Sequence, residues 1–355
     1  MTTNIVNLTT ISSKNLKNKL CGAVEILKKG GLVAFPTETV YGLGGDATNP
    51  DAARKIFEAK GRPSDNPLII HISEPLDAEN YTYTNEIYYK LADKFMPGPL
   101  TVILKSKENI PLATRGGLDT VAVRCPVNEI ARALIEEFGK PIAAPSANLS
   151  GSPSPTSAKH VIDDLFGRVD MIIDGGECEI GLESTIVKIE DDDSITLLRP
   201  GKITVDELAC VASVTVANAV TENLKIGEIA ISPGMKYRHY APKSPLVLLN
   251  GDNSEIFKYI LSDKCDSKAV LCYDEDVALY KKSLINTDLY AFGARDDISE
   301  QAKHLFAILR EVDKKNFDVI YAPVPSKDGI GLALYNRMIR AAAHTIINLK
   351  EGRNG

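Results

Sequence analysis

A chain of 355 residues with 44% hydrophobic and 25% charged side chains can bury more than one core, so two soluble globular domains are expected. Its 47 acidic against 41 basic residues, a net charge of -6, exclude nonspecific nucleic-acid binding by the molecule as a whole, and any anion site must be a local gathering of cations. No run of about 20 apolar residues occurs, the opening residues lack the basic-then-apolar pattern of a secretory leader, and the six cysteines contain no Cys-x-x-Cys pair. A cytoplasmic protein with no membrane contact is expected.

From Ser13 onward, Leu16, Leu20, Ala23 and Leu27 recur at helical spacing, and Gly30-Gly31 stops that helix before an apolar strand over 32–35. Pro36 to Asp46 then combines hydroxyls with glycines, which suits close backbone approach to a small polar ligand, and suits a tight turn equally well. It holds neither Gly-x-Gly-x-x-Gly nor a Walker lysine, so it carries no nucleotide assignment alone. Asn49-Pro50 predicts a capped helix through Ala59. Next comes Lys60-Gly-Arg-Pro-Ser-Asp-Asn-Pro-Leu68, a stiffened bend with a compact charge at Lys60, a planar fork of donors at Arg62 and an amide at Asn66. Such a bend suits a phosphate, and a solvated turn is the ordinary alternative. His71 lies on the apolar strand that follows; a core histidine is the usual reading there, but its nearness to the bend points to ligand contact.

Further short apolar runs at 100–104, 120–123, 142–144, 171–173 and 185–189, with helical stretches such as 129–138, predict a mixed α/β sheet. Arg124 ends one of these strands, where a buried charge needs either an anion or an internal salt bridge. Pro145-Ser-Ala-Asn-Leu-Ser-Gly151 follows the strand 142–144, at the carboxyl end where α/β folds bind ligands. Ser152 to Thr156 either extends that cradle or caps the next helix, and Gly181 to Thr185 reads as a small polar turn. Thr204 and Glu207 have capping-box spacing. We expect a first domain over 1–210, an interdomain linker over 211–245 with Lys236-Tyr-Arg-His-Tyr240 in it, and a second domain over 246–355. In the last, strands at 246–249, 269–273, 289–292 and 318–321 alternate with helices at 254–261, 298–312 and 332–347, the pattern of a small parallel sheet. No Ser/His/Asp order and no histidine or cysteine set with metal-ligand spacing is present, so no metal is assigned to the protein's own side chains and the chemistry is expected to rest on positioning.

Taken together and in this order, the motifs resemble those of the Sua5/YrdC/YwlC family in its longer, two-domain Sua5 form. The resemblance rests on Pro36 to Asp46, Lys60-Gly-Arg-Pro, Asn66 to His71, Pro97-Gly-Pro-Leu-Thr101, Val121 to Arg124, Pro145-Ser-Ala-Asn148, Gly181 to Val187, Arg199-Pro-Gly201 and Ser232 to Pro242. It implies a YrdC-like twisted mixed-sheet domain followed by a smaller Rossmann-like α/β domain. It implies a nucleotidyltransferase that makes L-threonylcarbamoyladenylate and pyrophosphate from L-threonine, bicarbonate and ATP, with Mg2+ on the ATP. The product would pass to a tRNA threonylcarbamoyl-transferase complex that modifies adenosine 37, with at most weak tRNA contact by this chain. Carried onto matching positions, Lys60, Arg62, Ser146 and Asn148 form the catalytic signature. Arg62, Asn66, Thr120, Ser146, Ser154, Arg199 and Tyr237 would hold ATP, and Thr39, His71, Arg124, Ala144 and Ser184 would surround threonine. Tyr237, Arg238 and His239 would fold over the nucleotide as a lid. Two other readings stay open: an RNA-binding module, marked by salt-sensitive RNA binding without ATP consumption, and carbamoyl or acyl transfer without release of pyrophosphate.

Overall fold

The structure is a computed structural model that describes residues 2–10, 13–64, 66–222 and 240–349. The described residues divide into two compact units, one comprising 2–150 and 154–222, the other 151–153 and 240–349.

The first unit opens with strand β1 (Asn4–Asn7), helix α1 (Ser13–Lys28) and the hairpin strands β2 (Val33–Phe35) and β3 (Gly42–Asp46). Helix α2 (Pro50–Lys60), β4 (Ile69–His71), β5 (Thr82–Tyr83), α3 (Glu86–Phe95) and β6 (Leu100–Ser106) follow. Then come α4 (Leu112–Arg115), β7 (Thr120–Arg124), α5 (Glu129–Phe138), β8 (Ile142–Ala143), α6 (Ala158–Leu165) and β9 (Met171–Asp174). The unit closes with β10 (Thr185–Ile189), β11 (Ile195–Arg199), α7 (Val205–Ala209) and β12 (Val214–Val216). The strands form one mixed sheet in the order β1-β9-β2-β3-β8-β4-β7-β6-β10-β11-β12, with β5 on β6. Because β12 pairs in parallel with β11, the first sheet runs past residue 210 to Val216.

Local chemistry explains the elements that position the site. In α2 the Asn49 side chain accepts the Asp51 N–H at 2.9 Å, Pro50 presets the first turn, and Gly61 ends the helix at φ 60°, a conformation glycine enters without steric cost. The buried face of α2 is Ala52, Ala53, Ile56 and Phe57. Leu16, Leu20, Ala23 and Leu27 of α1 share a core with Leu134, Ile135 and Phe138 of α5. Each such buried leucine stabilises by about 1.5–3 kcal/mol relative to exposure.

The glycines of the 36–46 segment prove to serve sheet packing. A Cβ on Gly44 would stand 2.7 Å from both Ile142 Cγ2 and Phe35 Cε1, so this glycine permits the close approach of β3 to its neighbours.

The second unit comprises β13 (Leu246–Asn250), α8 (Asn253–Ser262), β14 (Lys268–Cys272), α9 (Val277–Ser283), β15 (Thr287–Ala291), α10 (Ile298–Val312), β16 (Val319–Pro323), α11 (Gly331–Ala341) and β17 (Ile346–Asn348). Its sheet, β15-β14-β16-β13-β17, is parallel throughout, as the alternation of strands and helices implies. The expected helix over 332–347 is too long. Helix α11 ends at Ala341, the chain reverses through Ala343 and His344 at φ 47° and 62°, and Ile346 to Asn348 pair with β13 as an edge strand. The β-branched run Thr345-Ile-Ile explains the switch, since such side chains fit a pleated surface better than a helix.

Candidate active site

Register brings the charged and hydroxylated residues together. His71 of β4 is paired with Arg124 of β7, Arg124 with Thr101 of β6, Thr101 with Ile186 of β10, and Ile186 with Arg199 of β11. Directly opposed residues on neighbouring strands point to the same face, so one row across five strands carries a histidine, two arginines and a threonine. All four are buried.

Arg124 Nη2 donates to Glu38 Oε1 at 2.7 Å, with the arginine 4% and the glutamate 3% exposed. The internal salt bridge is therefore formed. It is also incomplete: neither Glu38 Oε2 nor Arg124 Nε has a hydrogen-bond partner among the described residues. Desolvating two charges costs several kcal/mol each, which their attraction offsets only when the remaining donors and acceptors are also met, so unspent atoms in such a pair mark a place for a ligand. Beside it, Arg199 Nε and Nη2 donate to the carbonyl and hydroxyl of Ser184 at 3.0 and 3.0 Å, and the Ser184 hydroxyl meets Thr101 Oγ1 at 2.7 Å. Ser154 donates its hydroxyl to Glu183. Thr39 is fully buried with its hydroxyl 2.8 Å from that of Thr37.

His71 donates Nδ1–H toward the Ile69 carbonyl at 3.2 Å. Burial, and after it the Arg124 charge, push its pKa down from 6.5 to about 3, so it stands neutral beside the arginine. Because the folded value lies below the unfolded one, this contributes stability that is complete above about pH 6.5 and lost as pH falls toward about 3. His71→Gln is expected to flatten the acid limb of stability by up to about 1.4 kcal/mol per pH unit within that window. Urea midpoints of both proteins at several pH values between about 4 and 7 give the comparison, and parallel curves would show that His71 protonates in the folded state.

A second polar group is built around the 145–148 loop. Lys60 Nζ, buried at 3% exposure, donates to the Ser146 carbonyl at 2.5 Å, the Asn148 carbonyl at 2.6 Å and Asn148 Oδ1 at 3.3 Å. With these three donations the Lys60 ammonium braces the 145–148 loop. Ser146 Oγ donates to Asn148 Oδ1 at 2.5 Å, and the loop is stitched to the 41–43 segment by Leu43 N–H to Pro145 O at 2.8 Å and Ala147 N–H to Tyr41 O at 2.8 Å. Tyr41 N–H in turn reaches Pro155 O at 2.9 Å, and Ile180 N–H reaches Glu38 O at 2.9 Å. These ties hold the 36–41 segment against both polar groups.

Arg62 is half-buried just past the Gly61 cap. Asn66 is 1% exposed, and neither end of its amide has a partner among the described residues, the mark of a group kept for a ligand. Ala144 donates its N–H to the Ile69 carbonyl at 2.9 Å, on the strand that carries His71. Thr120 sits apart from the row. It starts the strand that Arg124 ends, about 13 Å away at the usual rise per residue, at the end of β4 where Asn66 precedes the strand. Tyr237, Arg238 and His239 lie outside the described residues. Cys125 is buried, with its thiol pushed up to about 12, so no nucleophile adjoins Arg124 there. Glu38, Thr101 and Glu183 contact Arg124, Ser184 and Ser154 respectively and are not among the candidate residues named from the sequence. A signal for Glu38 existed, since a buried strand-end arginine demands a counter-charge and Glu38 is the one acid between Leu32 and Gly45.

A cavity of about 530 Å3 elsewhere on this unit is lined by Lys29, Lys55, Glu58, Arg168 and Asp170 and shares no residue with either polar group. Concavity alone does not identify the site. No helix among the described residues is long and apolar enough to cross a membrane.

Comparison with known proteins fits this arrangement. Residues 25–201 match the Sua5, YciO and YrdC family profile described as telomere recombination, and 203–343 match the profile of the threonylcarbamoyl-AMP synthase C-terminal domain. The threonylcarbamoyl-AMP synthase of Pyrococcus abyssi is 42% identical over 339 residues, covering 92% of this chain and 95% of its own. That of Bacillus subtilis is 43% identical over 335 residues, covering 93% and 94%. The crystal structure of P. abyssi Sua5 complexed with L-threonine superposes with a TM-score of 0.86 at 40% identity, covering 98% of this chain and 99% of that one. The chain belongs to the threonylcarbamoyl-AMP synthase family, in its two-domain Sua5 form.

Proposed function

We propose that this protein joins L-threonine, bicarbonate and ATP into L-threonylcarbamoyladenylate, with release of pyrophosphate. The observation that carries the reading is the unspent polar capacity at family motif positions: the Asn66 amide at one end of the paired strands, and Arg124 with its glutamate at the other. A separation of this order suits an extended nucleotide at one end and a small amino acid at the other. Arg62, Asn66, Thr120, Ser146, Ser154 and Arg199 would hold ATP, and Thr39, His71, Arg124, Ala144 and Ser184 would surround threonine. Tyr237 completes the ATP set by its place in the motif.

The chemistry asks for positioning. The threonine ammonium gives up a proton to solvent, and the amine then condenses with bicarbonate, releasing water, or adds to CO2, releasing a second proton; the oxygen of the resulting carbamate attacks the α-phosphorus in line as pyrophosphate departs. Arginines 62 and 124 offset the repulsion among three anions, and neutral His71 adds no charge to that balance. Effective molarities of about 10^5 M or more are available to well-oriented reactants without a protein nucleophile. Among the described residues no group of three or more His, Cys, Asp or Glu is assembled to hold a metal. Mg2+ is proposed to enter on the triphosphate, where it would screen the phosphate charge. We place the enzyme in the cytoplasm, upstream of a tRNA threonylcarbamoyl-transferase complex, and expect direct tRNA contact to be weak. The family comparisons support the synthase and lend nothing to an RNA-binding module.

Pyrophosphate release should require ATP, threonine and bicarbonate together, and Arg62→Ala should lower it by about 10^2-fold. Release that continues with threonine or bicarbonate omitted, or full activity in Arg62→Ala, would overturn this mechanism.

A further inference from the structure

We propose that Glu38 binds the ammonium group of the amino-acid substrate, an inference that rests on the synthase reading and adds a residue to it. Glu38 lies between two residues of the buried Thr37–Thr39 turn, and Ile180 N–H fixes its backbone carbonyl at 2.9 Å. One carboxylate oxygen, Oε1, is committed to Arg124 at 2.7 Å. The other, Oε2, is buried with no partner among the described residues.

A carboxylate accepts through both oxygens, and leaving one of them dry costs several kcal/mol. An α-amino acid presents a carboxylate and an ammonium on one carbon. A buried arginine beside a buried glutamate, each with an unspent atom, offers the complementary pair of charges. Arg124 takes the carboxylate, and Glu38 Oε2 takes an ammonium hydrogen. Neutral His71 on the neighbouring strand adds no competing positive charge. The pairing also sets selectivity: a hydroxy acid without the amine would satisfy Arg124 and leave Oε2 dry.

The test compares binding of L-threonine with that of 3-hydroxybutanoate, the same skeleton without the ammonium, by calorimetry. Wild type should prefer threonine by about 10- to 100-fold, the range of a hydrogen bond between charged groups. Glu38→Gln, whose amide oxygen can still accept from Arg124, should lose that preference, read as the ratio of the two affinities within the variant. Glu38→Asp, which keeps the charge, should retain part of it and serves if Glu38→Gln folds poorly. A variant that weakens both ligands equally would make Glu38 only a prop for Arg124 and overturn the proposal, as would a preserved preference in Glu38→Gln. Wild type that fails to bind threonine at all would instead overturn the synthase reading beneath it.

Discussion

Arg124→Ala is expected to destabilise the first unit by about 3–5 kcal/mol and to lower pyrophosphate formation by at least about 10^3-fold. The two effects share one cause. Glu38 is 3% exposed, and its Oε1 is held by Arg124 Nη2 at 2.7 Å, so truncation leaves a carboxylate in the interior with no cation opposite it. With domains stable by about 5–15 kcal/mol, such a loss is a large part of the whole. Because the chain has two compact units, thermal unfolding should be read together with hydrogen exchange at β4, β6 and β7, which reports on the first unit by itself. The double variant Glu38→Gln/Arg124→Met separates stability from function: it removes both buried charges and should recover most of the stability, while product formation stays lost. Wild-type stability in Arg124→Ala would show that Glu38 is solvated or protonated in the fold, and the account of this pair would fail.

That pair also shows what could be seen in the sequence and what could not. Arg124 at the end of an apolar strand announced a compensated charge, because burial of an arginine is intelligible from the residues around it. Its partner, 86 residues earlier on the segment between β2 and β3, depends on the strand order β2-β3-β8-β4-β7, which no local pattern states. Most helices and strands of the first unit were legible from spacing, caps and turns: Asn49-Pro50, Gly61 and the Thr204–Glu207 box all act as their chemistry dictates. Two segments needed more than local pattern. The glycines at 42–45 suit a ligand loop and a tight turn equally by sequence, because their packing partners Phe35 and Ile142 come from other strands. The last helix was drawn too long because Ile346 and Ile347 continue an apolar rhythm, and only pairing with β13 reveals an edge strand. Family motifs located the candidate residues; register explains why residues so far apart in the chain share a face.

Lys60 supplies the second large effect. If its ammonium moulds the 145–148 loop, Lys60→Met keeps the aliphatic stem and the packing but leaves the Ser146 carbonyl, the Asn148 carbonyl and Asn148 Oδ1 without that donor. Each buried acceptor so deprived costs about 1–3 kcal/mol, and relaxation of the loop would recover part of the sum. The loop carries Ser146, and a displacement of about 1 Å in a positioning residue lowers rate by about 10^2-fold. Lys60→Met should therefore lower kcat/KM for ATP by about 10^2-fold or more, with the loss in kcat as well as in KM. Lys60→Arg decides between moulding and direct contact. A planar guanidinium is an excellent phosphate ligand but cannot converge three donors on one point as an ammonium does. Behind the loop, Arg should be as defective as Met; if Lys60 touches the triphosphate itself, Arg should keep near wild-type KM for ATP, and the structural role drawn from the three carbonyl and amide contacts would be wrong.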